Sequence, residues 1–169
     1  PPVHVPDDKA GSWCLQGMGD RAPRLLKSVY LDDGALASHN ELLEAKYKAM
    51  QADARAECLD TDDAELVVAA FGSIGRIARS AVQLARASGH RVGLFRPQTL
   101  FPFPARELER LAAEGKRFLV IEQNGQLVDV VRLAIRHHAD ADFFGVMPGI
   151  FVDADDLLTP ILNCMRDAQ

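Results

Sequence analysis

The chain has 169 residues, 48% of them apolar, and a formal net charge of −5. That length and apolar content suit one domain with a proper core. Basic residues are nowhere concentrated, which argues against nucleic acid or an anionic membrane as partner, and no apolar run approaches the roughly 20 residues of a spanning helix. No signal peptide is read at the start. The opening Pro1-Pro2, in place of a Met, reads as the cut end of a longer protein. Cys14, Cys58 and Cys164 are odd in number and far apart, so they give no disulfide framework and no cluster ligation. A reducing, cytoplasmic setting is the expectation.

Residues 1–23 carry Pro, Gly and Asp without periodicity and read as an extended arm. Trp13, the only tryptophan, anchors this arm either to the chain's own core or to a neighbouring domain. Leu36, Leu43, Tyr47, Met50 and Ala54 mark one face of a helix over 33–57. Ser38 with Glu41 offers a capping box, and Asp32 an earlier cap. Residues 58–64 are acidic and turn-rich and read as a joint. The organisation expected is therefore an arm and linker helix over 1–63 and an α/β domain over 64–169.

The second part is periodic. Residues 66–71 form a continuous apolar run with β-branched members, which suits a strand buried on both faces. Ile77, Ala78, Ala81, Val82, Leu84 and Ala85 then recur at helical spacing, with Ser73 as a cap and Gly89 as the stop. Strands follow at 92–95, 118–121 and 143–146. Pro104 opens an intervening helix through Leu108, Leu111 and Ala112, and Leu127 to Ile135 supply another. Asp153 caps a last helix, in which Pro160 removes one hydrogen bond and predicts a kink or a restart at Thr159. Alternating strand and helix predicts a doubly wound, mostly parallel sheet flanked by helices, with an extra edge strand drawn from the arm.

Little chemistry is visible. Gly72-Ser73-Ile74-Gly75 matches neither phosphate-binding glycine motif. Gly19-Asp20 is followed by Arg21 and no Asn pair appears, so the Mg²⁺-holding signature of thiamine diphosphate sites is missing. His137 and His138 are neighbours on a helix and cannot chelate together, so they read as surface residues. No Ser, His and acid trio stands at recognisable spacing. What remains is the carboxyl edge of the sheet, where open α/β folds place function. Glu122 ends one strand, with Asn124 and Gln126 in its loop. Arg96 ends another strand, with Thr99 beyond it, and is placed to pair with Glu122 if the two strands are neighbours. These five residues read either as loop structure or as a contact with a partner's active site.

Several motifs together resemble a known family. They are Gly72-Ser73 with Arg76 and Ala81-Val82, then Val92-Gly93-Leu94, then the run Arg96-Pro97-Gln98-Thr99-Leu100-Phe101-Pro102-Phe103-Pro104, then Glu122 with Gly125-Gln126. They resemble the C-terminal, transketolase-like domain of 2-oxoacid:ferredoxin oxidoreductases. Trp13-Cys14-Leu15-Gln16-Gly17, residues 27–31 and His39-Asn40 with Lys46-Tyr47 look like the linker of the alpha-type subunit. Residues 129–132 and Phe144-Gly145 with Met147 and Gly149 are most similar to the 2-oxoisovalerate members. The resemblance implies a multi-subunit enzyme that uses thiamine diphosphate, Mg²⁺ and 4Fe–4S clusters to turn a 2-oxoacid and CoA into acyl-CoA and CO₂, reducing ferredoxin. It also implies a preceding pyrimidine-binding domain, a diphosphate-binding beta subunit and a gamma subunit. This chain would bind none of the cofactors, would carry no catalytic residue, and would support assembly beside the active site, with Arg96, Thr99, Glu122, Asn124 and Gln126 as the interface. Two other readings stay open: the C-terminal domain of a transketolase or of a dehydrogenase E1 beta chain, and a free-standing flavodoxin-like nucleotide- or CoA-binding module.

Overall fold

A computed structural model describes residues 19, 20, 22, 23 and 25–166. Trp13, Cys14 and most of the expected arm lie outside the described residues. The chain divides into two compact units, 1–42 and 43–169. In the first unit, residues 22, 23 and 25–31 have no regular structure, and a turn through Gly34 (φ +74°) leads into helix α1, Ala35–Met50. The Ser38–Glu41 pair therefore falls inside the helix and caps nothing. No residue of α1 is buried.

The helix ends at Met50, well short of the expected 57. A short tight helical turn, Gln51–Asp53, follows, and then strand β1, Ala56–Leu59. Residues 54–57 are helix-competent by composition, but backbone pairing with a distant strand outweighs that weak local preference. The extra edge strand thus exists, and it comes from the stretch read as helix end and joint.

The sheet order is β1-β3-β2-β4-β5, where β2 is Leu66–Ala69, β3 Val92–Pro97, β4 Arg117–Glu122 and β5 Ala141–Gly145. Four strands run parallel, and β1 pairs antiparallel with β3, Ala56 opposite Pro97 and Leu59 opposite Leu94. Helices α2 (Gly72–Ala87), α3 (Ala105–Ala113), α4 (Leu127–Ile135) and α5 (Ala154–Arg166) cover both faces. Alternate strand residues sort the core into two halves. Leu66, Val68, Leu94, Leu119 and Ile121 pack under α2 and α5. Val67, Ala69, Phe95, Phe118 and Val120 pack under α3 and α4. All four residues of β2 are fully buried, as its unbroken apolar run demands. Each such Leu or Val contributes about 1.5–3 kcal/mol on burial.

Gly93 lies where the chain leaving β1 crosses β3. A Cβ there would fall 2.8 Å from Asp60 O and 2.9 Å from Thr61 Cα, so only glycine admits the crossing. The turn beyond it is held by ion pairs and buried donors. Arg86 takes both carboxyl oxygens of Asp63 at 3.1 and 2.8 Å, and the buried Lys116 Nζ donates to Asp62 O at 2.9 Å.

Two cap expectations divide. Asp153 Oδ1 accepts the Asp155 and Asp156 N–H groups at 3.0 Å, and Asp156 Oδ2 accepts from Asp153 N–H, a reciprocal cap for α5. At α2 the cap position is Phe71, with no side-chain bond, and Ser73 lies two residues too late, inside the helix. α5 is continuous through Pro160, without a restart at Thr159. Its buried face, Leu157, Ile161 and Cys164, lies on both sides of the proline and holds the two halves together against the core. Among the described residues no helix is long and apolar enough to cross a membrane.

Candidate functional site

The carboxyl ends of β2 to β5 open on one edge, and the loops into α2, α3, α4 and α5 form its surface. Glu122 ends β4 with 2% of its surface exposed. Its Oε1 accepts the Val128 N–H at 2.9 Å, satisfying one of the orphan donors of the first turn of α4. Its backbone oxygen accepts the Val146 N–H at 2.8 Å, which fixes the exit of β5. One residue therefore ties the α4 entry to the α5 loop.

Arg96 does not meet Glu122. Strands β3 and β4 each pair with β2, one on either side of it, so the ends carrying Arg96 and Glu122 are separated by a strand. Arg96 Nη1 instead donates to Glu57 Oε2 at 3.0 Å, and Arg79 of α2 donates to the other oxygen of Glu57. The expected pair is thus replaced by one reaching into β1. A shallow depression of about 530 Å³ lies beside it, lined by Gly72, Ser73, Arg76, Ile77 and Arg96.

Thr99 serves the same edge strand. Its Oγ1 accepts the Arg55 N–H at 2.9 Å, while the Gln98 and Thr99 N–H groups donate to Arg55 O at 2.9 and 3.2 Å. The proline-rich run is packed down rather than loose: Pro102 and Pro104 are buried, the Phe101–Pro102 peptide is cis, and Phe103 meets Phe95 edge to face at 6.4 Å. Phe101 stays exposed, edge-on to Tyr47 at 5.5 Å.

Asn124 and Gln126 remain. Both are exposed on the loop after β4, and neither makes a side-chain hydrogen bond among the described residues. The structure therefore brings Glu122, Asn124 and Gln126 together on one loop and puts Arg96 and Thr99 on the β1 side. His137 and His138 are exposed, as expected, but on the turn after α4 rather than on the helix itself.

A second concavity, about 550 Å³, was not legible in the sequence. Ala54, Ala56 and Cys58 line it on one side and Phe103, Pro104 and Glu107 on the other. It arises only because β1 joins the sheet beside α3. The Cys58 thiol donates to Glu107 Oε1 at 3.7 Å, and burial, then the neighbouring Glu107, push it up to about 11. A thiol held protonated in this way is no nucleophile at neutral pH. Glu107 is in turn held below the usual carboxylate range by Arg110. Among the described residues no group of three or more His, Cys, Asp or Glu side chains could hold a metal ion.

These features, a doubly wound sheet of this strand order with a proline-rich loop after β3, define a class. Residues 64–157, more than half the chain, match the family "Pyruvate:ferredoxin oxidoreductase core domain II", and the chain belongs to that family. It is 37% identical over 168 residues to ketoisovalerate oxidoreductase subunit VorB of Methanothermobacter thermautotrophicus, covering 98% of this chain and 47% of that protein. The chain thus spans about half the length of that relative. Its fold is similar to part of the 2-oxoglutarate:ferredoxin oxidoreductase of Magnetococcus marinus, with a TM-score of 0.65 at 17% identity over 86% of this chain and 27% of that one. It is also similar to a split-gene transketolase, with a TM-score of 0.50 at 14% identity over 66% of this chain and 41% of that one.

Proposed function

We propose that this chain is the C-terminal core domain of the alpha-type subunit of a thiamine-diphosphate-dependent 2-oxoacid:ferredoxin oxidoreductase. Residues 64–169 form the α/β domain and 1–63 its arm and linker, from which residues 56–59 are drawn into the sheet. The reaction is conversion of a 2-oxoacid, CoA and oxidised ferredoxin to acyl-CoA, CO₂ and reduced ferredoxin. The relative's printed name, ketoisovalerate oxidoreductase, supports a branched 2-oxoacid as substrate. The observation that carries the domain's role is the carboxyl edge: its buried strand-end groups are engaged within the fold, while Asn124 and Gln126 face outward. The domain acts by holding the subunits together beside the active site.

Among the described residues, the side chains do not fit the metal ion and clusters such an enzyme uses. Cys58 and Cys164 lie on opposite faces of the sheet, one in each half of the core, so they cannot ligate one cluster. Thiamine diphosphate, Mg²⁺ and the 4Fe–4S clusters are therefore assigned to the other parts of the enzyme: a preceding pyrimidine-binding domain, a diphosphate-binding beta subunit and a gamma subunit. The setting proposed is cytoplasmic.

The test is assay of the purified assembly that contains this chain. CoA-dependent reduction of ferredoxin by 2-oxoisovalerate is the expected result, with 2-oxoglutarate and pyruvate compared. An assembly with no 2-oxoacid turnover would overturn the activity. Saturable binding of thiamine diphosphate and Mg²⁺ by this isolated chain at a micromolar constant, about −8 kcal/mol, would overturn the non-catalytic role. The transketolase likeness supports a second reading, a ketol-transfer enzyme, and ketol transfer between sugar phosphates without ferredoxin reduction would favour it.

A further inference from the structure

Beyond β5 the chain makes a tight turn whose design is unlike that of the other loops on this edge. The Ile150 N–H donates to Met147 O at 3.2 Å, Pro148 occupies the second position, and Gly149 the third, at φ +89°. Proline followed by a left-handed glycine is the type II pattern, a conformation the sequence fixes in advance. The turn is clamped at both ends. Before it, Val146 is buried and bonded to Glu122 O at 2.8 Å. After it, Val152 packs on the core and Asp153 closes the reciprocal cap of α5.

A segment built this firmly nevertheless leaves its own apolar side chains in solvent. Met147 is 69% exposed, Ile150 58% and Phe151 101%. Three large apolar groups exposed within five residues are a local concentration of the kind that marks a contact surface. Because the backbone is already fixed, burying Phe151 against a partner loses little further backbone entropy, which is the property of a good anchor. Asp153, Asp155 and Asp156 stand beside the patch, so the complementary rim is basic. A second copy of this chain fits poorly, because a twofold contact would bring two acidic rims together in a chain of net charge −5.

We propose that residues 147–151 are the anchor by which this domain seats on the cofactor-binding portion of the enzyme, Phe151 entering an apolar pocket rimmed by lysine or arginine. The proposal rests on the function proposed above. Its choice of occupant follows from length and place. The matched relatives run about twice as long as this chain, which covers 47% and 44% of the VorB subunits of two Methanothermobacter species. The turn also lies on the same sheet edge as the outward-facing Asn124 and Gln126.

The test uses the assembled enzyme carrying a photo-cross-linking phenylalanine analogue at position 151, together with the variants Phe151→Ala, Phe151→Asp and Asp155→Lys. Cross-links from position 151 should map to the cofactor-binding portion. Phe151→Ala should weaken assembly at least about tenfold, and Asp155→Lys should weaken it further at low salt than at high salt. Melting of the 169-residue chain carrying either Phe151 variant should match wild type, since Phe151 contributes no buried surface there, whereas Asp155→Lys, in the first turn of α5, should lower it only slightly. Cross-links only to a second copy of this domain, or none, would overturn the proposal. So would Phe151→Ala and Phe151→Asp assemblies that form with wild-type affinity. These outcomes separate it from the functional reading: normal 2-oxoisovalerate turnover with a silent position 151 sinks the anchor alone, whereas a wild-type assembly without turnover sinks the function, and the cross-link map still decides the anchor.

Discussion

Glu122→Ala tests how the site loop is held. The substitution removes the acceptor of the Val128 N–H, a 2.9 Å bond made in a buried setting. A hydrogen bond to an acidic group contributes about 1.5–3 kcal/mol, and the donor is left unpaired when it is lost. Removing one buried methylene adds about 0.8 kcal/mol. The variant should therefore be about 2–4 kcal/mol less stable, which for a chain of this size lowers Tm by roughly 4–16 °C. Glu122→Gln keeps an oxygen at the same place and should lose about 1 kcal/mol. Urea unfolding followed by far-UV circular dichroism measures both, and hydrogen exchange at Val128 reports the bond itself. The reasoning fails if Glu122→Ala stays within about 0.5 kcal/mol of wild type, or if the glutamine variant is destabilised equally.

Three further outcomes follow from the geometry. Gly93→Ala should destabilise by about 1–3 kcal/mol, because the new methyl meets the Asp60 and Thr61 backbone rather than a side chain that can move; an unchanged urea midpoint would refute the close crossing. The Cys58 thiol, held up at about 11, should react with iodoacetamide at a rate still rising well above pH 9, and Glu107→Gln should move the rise to lower pH. The folded chain holds that proton more tightly than the unfolded one, so Cys58 leaves stability unchanged below pH 9 and lowers it as pH rises toward about 11; peptide mapping of the alkylated cysteine checks the first point and unfolding at each pH the second. Asn124→Ala and Gln126→Ala should leave the domain's melting unchanged. If they face a partner, each should weaken assembly or turnover in the whole enzyme by about tenfold, equivalent to a lost contact of 1–3 kcal/mol, whereas unchanged assembly and turnover would return both residues to the scaffold.

Strands β2, β3 and β4 were legible because their burial is two-sided and leaves a continuous apolar run, as in residues 66–69. Strand β1 was not, for the converse reason. Ala56–Leu59 is four residues long, half-buried throughout and paired on one side only, so its single alternating apolar pair, Ala56 and Cys58, is too short to read as a strand face. Its partner β3 lies more than thirty residues away in sequence, and no local pattern in Ala54 to Glu57 contradicts helix. The same non-local pairing hid the concavity around Cys58. Pro160 misled in a smaller way: the lost hydrogen bond was foreseen, but not the buried face on both sides of it that keeps α5 whole.

The site followed the same division. Strand ends can be read from sequence, and so can the edge on which their loops gather, but lateral order cannot. Arg96 and Glu122 would meet only if their strands, consecutive in sequence among those expected, were neighbours in the sheet. With β2 between them, each found another partner, and Arg96 found it on the strand that had been missed. This reassignment bears on function. Glu122 is committed to α4, Arg96 to Glu57 and Thr99 to Arg55, so three of the five candidate residues shape the edge from within. A partner would meet what these residues hold in place: Asn124 and Gln126 on the loop after β4, and the apolar turn after β5. Because Glu122 bonds both the α4 entry and Val146, it also couples those two surfaces. If Gln126 and Phe151 meet a partner as proposed, loosening Glu122 should disturb both contacts together, although it touches neither.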